Sequence, residues 1–149
     1  MPRSARPEGH WSWILRRYPA HLVVGLASME RGRHRDAVDA FRVVADRSED
    51  DPYLIGALGH CLGAAGRASE ARKVLAKLSA LSEQRYVPAL HIARIHIGLG
   101  DHDRAFAWLD KGCDERCSRL IWLNVHPMSD SLRADPRFAR LQGKLGLAT

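Results

Sequence analysis

Residues 58–78 read LGHCLGAAGRASEARKVLAKL, and four positions in this stretch decide the fold. Gly59 has Gly25 34 residues before it and Ala93 34 residues after it. Gly66 stands in the same way between Gly32 and Gly100, Ala71 between Ala37 and Ala105, and Leu75 between Phe41 and Leu109. Glycine makes up 12 of the 149 residues, so two further glycines at a preset offset arise by chance less than about 1% of the time. Columns that stay in step across the chain make a 34-residue repeat.

Each column has a physical meaning on a helical hairpin. Apolar residues recur at helical spacing in Leu22, Val24, Leu26 and Met29, and again in Ala37, Phe41, Val44 and Ala45. Between the two runs, Gly32, Gly66 and Gly100 fall where a first helix must stop, and glycine adopts the left-handed conformation there at little steric cost. Asp36, Ser69, Glu70 and Asp103 follow within four residues and suit the start of a second helix. The small residues at 25, 59 and 93, and at 37, 71 and 105, let helices approach closely. Asp51-Pro52 gives the second unit a cap and a first-turn proline. One hairpin cannot bury its own apolar face, so neighbours must stack, and three is about the minimum for a stable array.

A 34-residue helical hairpin with small, Gly, Ala and large-apolar columns at these offsets resembles the tetratricopeptide repeat (TPR). The resemblance implies an all-α protein: an α-solenoid of three TPR-like hairpins over residues 18–51, 52–85 and 86–119. Residues 1–17 precede it as a basic segment with a short helix, and residues 120–149 follow as capping helices. In the first of these segments, residues 9–17 would present Trp11, Ile14 and Leu15 to the array. In the last, Leu120, Ile121 and Leu123 suggest one helical segment, and Asp135-Pro136 opens an amphipathic helix with Phe138, Leu141 and Leu145 on one face. The run Gln84-Arg85-Tyr86-Val87-Pro88, then Gly98-Leu99-Gly100-Asp101, Ala105-Phe106-Ala107-Trp108-Leu109, Asp135-Pro136-Arg137-Phe138 and Leu145-Gly146-Leu147 looks like the closing segment of bacterial TPR arrays. That likeness implies a place in a bacterial signalling or regulatory system. The kinase, cyclase and DNA-binding parts that precede such segments have no counterpart here.

TPR arrays bind through the concave surface formed by the first helix of each hairpin. Carried over by repeat position, that surface here is Leu22, Leu26, Met29, Tyr53, His60, Leu90, Arg94 and Ile97. Apolar with a few polar points, it suits a protein or peptide segment with apolar anchors. Some TPR proteins clamp a terminal carboxylate with Lys, Asn and Arg. The clamp sites read Leu22, Leu26, Ala57, Val87 and His91 here, so that clamp is absent.

Composition bounds the alternatives. One domain of 149 residues with 46% apolar and 27% charged residues is neither a disordered tail nor a membrane bundle. Three cysteines are too few for a disulfide-stapled scaffold. Met1 to Pro19 lacks the apolar core of a signal peptide, and no stretch nears the ~18 apolar residues of a spanning helix. A reduced, cytoplasmic setting with no membrane contact is the expectation. The net charge of +6 is spread along the chain: +3 in residues 1–17, −2 in 18–51, +3 in 52–85, none in 86–119 and +2 in 120–149. Dispersed charge of this kind is weak evidence for nucleic acid.

Four further patterns bear on chemistry. Cys113 and Cys117 stand one helical turn apart, half of a zinc site, but no second pair matches them, so neither metal nor cofactor is expected. His34-Arg35-Asp36 spells a kinase catalytic tripeptide, yet Phe41 stands where the Asn would be and no glycine-rich loop accompanies it. His91 and His96 have no acidic or hydroxyl partner fixed by spacing, so the expected function is non-catalytic. Arg133, Arg137, Arg140 and Lys144 form a basic stripe on the last helix. It is the basis of the alternative reading, a nucleic-acid-associated regulatory protein using its basic ends.

Overall fold

The computed structural model describes residues 19–47, 51–115, 120, 123 and 127–146. Among the described residues seven α-helices follow in order: α1 (Pro19–Glu30), α2 (His34–Arg47), α3 (Pro52–Ala64), α4 (Ala68–Gln84), α5 (Ala89–Leu99), α6 (His102–Asp114) and α7 (Pro136–Lys144). A 3-10 helix, Pro127–Leu132, precedes α7. No strand occurs among the described residues, so the all-α helical-repeat fold stands. The expected helix over residues 9–17, and with it Trp11, Ile14 and Leu15, lies outside the described residues, as do Cys117 and Ile121.

The glycine column sets the hairpin turns. Gly32, Gly66 and Gly100 have φ of 76°, 83° and 77° and follow the ends of α1, α3 and α5. At Gly100 the cap N–H reaches the carbonyls of His96 and Ile97, which absorbs acceptors that the end of the helix leaves over. Second helices start on acidic first turns, with Asp36 in α2, Glu70 in α4 and Asp103 in α6. Asp51 and Asp101 cap α3 and α6, accepting the amides of Tyr53 (2.9 Å) and Arg104 (3.2 Å).

Helices α1 and α2, α3 and α4, and α5 and α6 pair as antiparallel hairpins, and α3 packs most extensively of all on α5. Glycine makes that seam. A β-carbon on Gly59 would stand 2.6 Å from Ile95 Cγ1, and one on Gly63 would stand 2.6 Å from the Gly98 carbonyl carbon. Gly56 faces His91, and Gly98 abuts the backbone of His60. Phe41 fills the space left by Gly25 within the first hairpin. Because α3, α4, α6 and the 3-10 helix all close on it, α5 is buried over the whole run Ala89–Ile97. Leu120, Leu123, Leu132, Phe138 and Leu141 share one core with Leu90, Ala93, Ile97, Phe106 and Leu109. The C-terminal part therefore covers the last hairpin, and among the described residues it does so with the 3-10 helix Pro127–Leu132 and α7.

Candidate functional site

A cleft of about 480 Å³ crosses the ends of the first helices. Met29 and Glu30 come from the end of α1, with Arg31 and Gly32 in the turn and His34 opening α2. His60 and Ala64 come from α3, Ile97 and Gly98 from α5, and Asp130 and Ser131 from the 3-10 helix. Every hairpin thus contributes one wall segment. This volume is within the range of ligand pockets.

The imidazoles of His34 and His60, from neighbouring hairpins, meet edge to face with ring centroids 6.1 Å apart. His60 is 5% exposed, and its Nδ1 donates to the carbonyl oxygen of Arg94 at 3.0 Å. Because a carbonyl can only accept, the proton on this ring is assigned to Nδ1. The buried Nδ1 of His34 and the buried Oγ of Ser129 have no hydrogen-bond partner among the described residues. Polar groups rarely stay buried and unsatisfied; of these two residues, His34 lines the cleft and Ser129 stands next to its wall residue Asp130.

The eight residues expected on an open concave surface divide. Met29, His60 and Ile97 line the cleft. Leu22, Leu90 and Arg94 do not line it; at 1%, 6% and 3% exposed they are buried, as are Met29, His60 and Ile97 at 4%, 5% and 5%. Leu26 is half-buried against the first core. Tyr53 is half-buried and lines a separate depression of about 240 Å³ with Asp51, Arg85, Tyr86 and His91. The physical reasons differ: Leu22 packs into the first core and Leu90 into the last one beneath the C-terminal part, whereas Arg94 is covered at the glycine seam between α3 and α5. A first helix that sits backbone to backbone against the next one turns this face into the joint between units. Arg94 lies within that joint, its guanidinium 4.6 Å over the Tyr53 ring.

The remaining candidates resolve as follows. Burial pushes the Cys61 thiol up to about 12, although the nearby Arg94 charge opposes the shift. Cys113 is half-buried on the last core. No group of three or more His, Cys, Asp or Glu side chains among the described residues is arranged to hold a metal. His96 Nδ1 stands 4.0 Å from Asp101 Oδ2, and burial lowers its pKa from the ordinary histidine value, with the Asp101 charge opposing. Of the kinase-like tripeptide, His34 lines the cleft while Arg35 and Asp36 are exposed at the start of α2. The basic stripe is largely matched within the protein. Arg133 pairs with Asp130 (3.1 Å), Arg137 with Asp103 and Asp135 (2.8 Å each), and Lys144 with Asp110 (3.4 Å) and Asp114 (3.5 Å). Little of its charge is left over for phosphates.

The sequence matches the family model of the tetratricopeptide repeat over residues 28–86. Over that stretch the chain is similar to tetratricopeptide repeats. The matched stretch runs from Ser28, at the end of α1, to Tyr86, just past α4. It therefore includes Met29, His34, His60 and Ala64 of the cleft, while Ile97, Asp130 and Ser131 lie beyond it. No curated protein and no solved structure matches the chain. Tetratricopeptide repeats mediate protein–protein interaction and scaffolding. Among the described residues, no helix is long and apolar enough to cross a membrane.

Proposed function

We propose that this chain is a non-catalytic TPR scaffold that takes a protein or peptide segment with an apolar anchor into the cleft between Met29, His60, Ile97 and Ser131. On this reading residues 18–51, 52–85 and 86–119 are the repeat units, residues 120–149 close the array, and the protein serves a bacterial regulatory system in the cytoplasm. The observation that carries the proposal is that one cleft draws a wall from each hairpin. Apolar Met29, Ala64 and Ile97 would receive the anchor, and His34, His60 and Ser131 would offer hydrogen bonds around it. Because these groups sit on packed helices, docking does not require the array to rearrange, which lowers the ordering cost of binding.

The test uses side chains that line the cleft without supporting the core. Ala64 and Ser131 are both exposed. Ala64→Arg and Ser131→Arg should each remove the proteins that the wild type recovers from an extract of its source cells. Ala107→Arg, on the exposed side of α6, should recover them unchanged. Equal recovery by all three variants would reject the cleft as the binding site.

A further inference from the structure

The C-terminal part keeps the 34-residue interval, although of the four residue columns only the alanine one continues, at Ala139. Helix α5 ends at Leu99, the chain turns at Gly100, and α6 starts at His102 behind its cap Asp101. In the same phase one interval later, the 3-10 helix ends at Leu132, the chain turns at Arg133 and Ala134, and α7 starts at Pro136 behind its cap Asp135. Both caps act through the carboxylate, Asp101 on the Arg104 amide and Asp135 on the Arg137 amide. Side chains repeat the spacing: Arg137 Nη1 donates to Asp103 Oδ1 at 2.8 Å and Lys144 Nζ to Asp110 Oδ1 at 3.4 Å, each across 34 residues. The His60–Arg94 bond spans the same 34 residues between α3 and α5. Equal positions of successive units therefore face one another, with α7 beside α6 as a second helix would be.

We infer that residues 127–146 are a shortened fourth hairpin of the same array, docked in register, and that it supplies the closing wall of the cleft. The 3-10 helix takes the place of a first helix but has 6 residues where α5 has 11. Leu132 is fully buried in the core shared with Leu90 and Ile97, while Asp130 and Ser131 face the cleft. The wall is tied to α7 through the Asp135 amide, which donates to the Leu132 carbonyl at 3.0 Å. Helix α7 is held in turn by Phe138 and Leu141 in the core with Phe106 and Leu109. The inference is independent of what the cleft binds and needs no partner to be tested.

Two measurements on the full chain decide it. In a background with Cys113→Ala and Cys117→Ala, cysteine pairs are introduced and treated with a short bismaleimide. The in-register pairs, Asp103→Cys with Arg137→Cys and Asp110→Cys with Lys144→Cys, should cross-link at least about tenfold faster than Asp103→Cys with Lys144→Cys. Equal rates would overturn the register. Hydrogen exchange then reads the wall: Phe138→Ala should speed exchange at residues 129–133 by about tenfold or more while residues 54–62 of α3 keep their protection. Unchanged exchange at 129–133 would overturn the role of the wall. Should α3 also lose protection, the comparison passes to Arg137→Ala with Lys144→Ala, which leaves the core intact. There a selective rise of about twofold supports the inference and none refutes it.

Discussion

The ring of His60 is bonded to the backbone oxygen of Arg94, one repeat interval further along the chain, at 3.0 Å. The bond crosses the seam where Gly98 meets the His60 backbone, so it fixes α3 and α5 at the same point where they approach most closely. Stability and site are thus joined in one place: the residue that stitches two units together also lines the cleft.

Glycine substitutions should separate the seam from ordinary helix positions. Gly98→Ala places a β-carbon into the His60 backbone, which cannot yield as a flexible side chain can, and we expect a loss of roughly 1–3 kcal/mol. Gly143→Ala, in α7 with nothing within 4 Å of the added carbon, should gain about 0.5–1 kcal/mol from helix propensity. Chemical denaturation of the two variants gives opposite signs if the seam is as close as described.

A second overpacking test addresses the repeat phase. Ala71 is fully buried in the first core at the column shared with Ala37 and Ala105. Ala71→Leu should cost roughly 1–3 kcal/mol and lower the melting temperature. An unchanged melting curve would mean that this column does not mark a close helix contact.

Acid should act first on the C-terminal hairpin. The Arg137 side chain and amide both bond to Asp135 and hold its carboxyl at about 2, below the ordinary 3.8. A folded value below the unfolded one stabilises the fold above the unfolded pKa, and the benefit fades as pH falls from about 4 towards 2. The α7 amide signals should therefore change across that window, and Arg137→Ala, which removes the side-chain bonds but keeps the amide, should raise the Asp135 titration part of the way towards the ordinary carboxylate range. Titration of Asp135 near 4 in the intact protein would contradict the pairing.

Thiol chemistry offers a check on burial. With its thiol near 12, Cys61 holds only about one part in ten thousand of thiolate at pH 8, and the thiolate is the reactive form. Iodoacetamide at pH 8 should leave Cys61 unmodified in the native protein, as read by mass spectrometry, and modify it after unfolding. Rapid native labelling would show that α3 opens.

The fold was legible because its signal is positional. Gly32, Gly66 and Gly100 sit at positive φ, where side chains with a β-carbon are strained, so the turns could be read from residue identity. The site was less so. Helical spacing marks Leu22, Leu90 and Arg94 as one face, but it cannot say whether water or another helix covers that face. The spacing of Gly56, Gly59 and Gly63 along α3 was the available clue: a stripe without side chains invites a close neighbour. His34 was obscured by its place in a kinase-like tripeptide. Asp130 and Ser131 had no periodic signal, because the segment that carries them forms a 3-10 turn instead of an α-helix.

At Gly63 and Gly98 main chain lies against main chain, and no side chain is present to act as a spacer or a bearing. The two central units cannot approach any further at this point, and splaying them would open the closest helix contact described. The joint between them thus rests on main-chain contact, and any substitution that adds a β-carbon at Gly63 or Gly98 has to move a whole helix to fit.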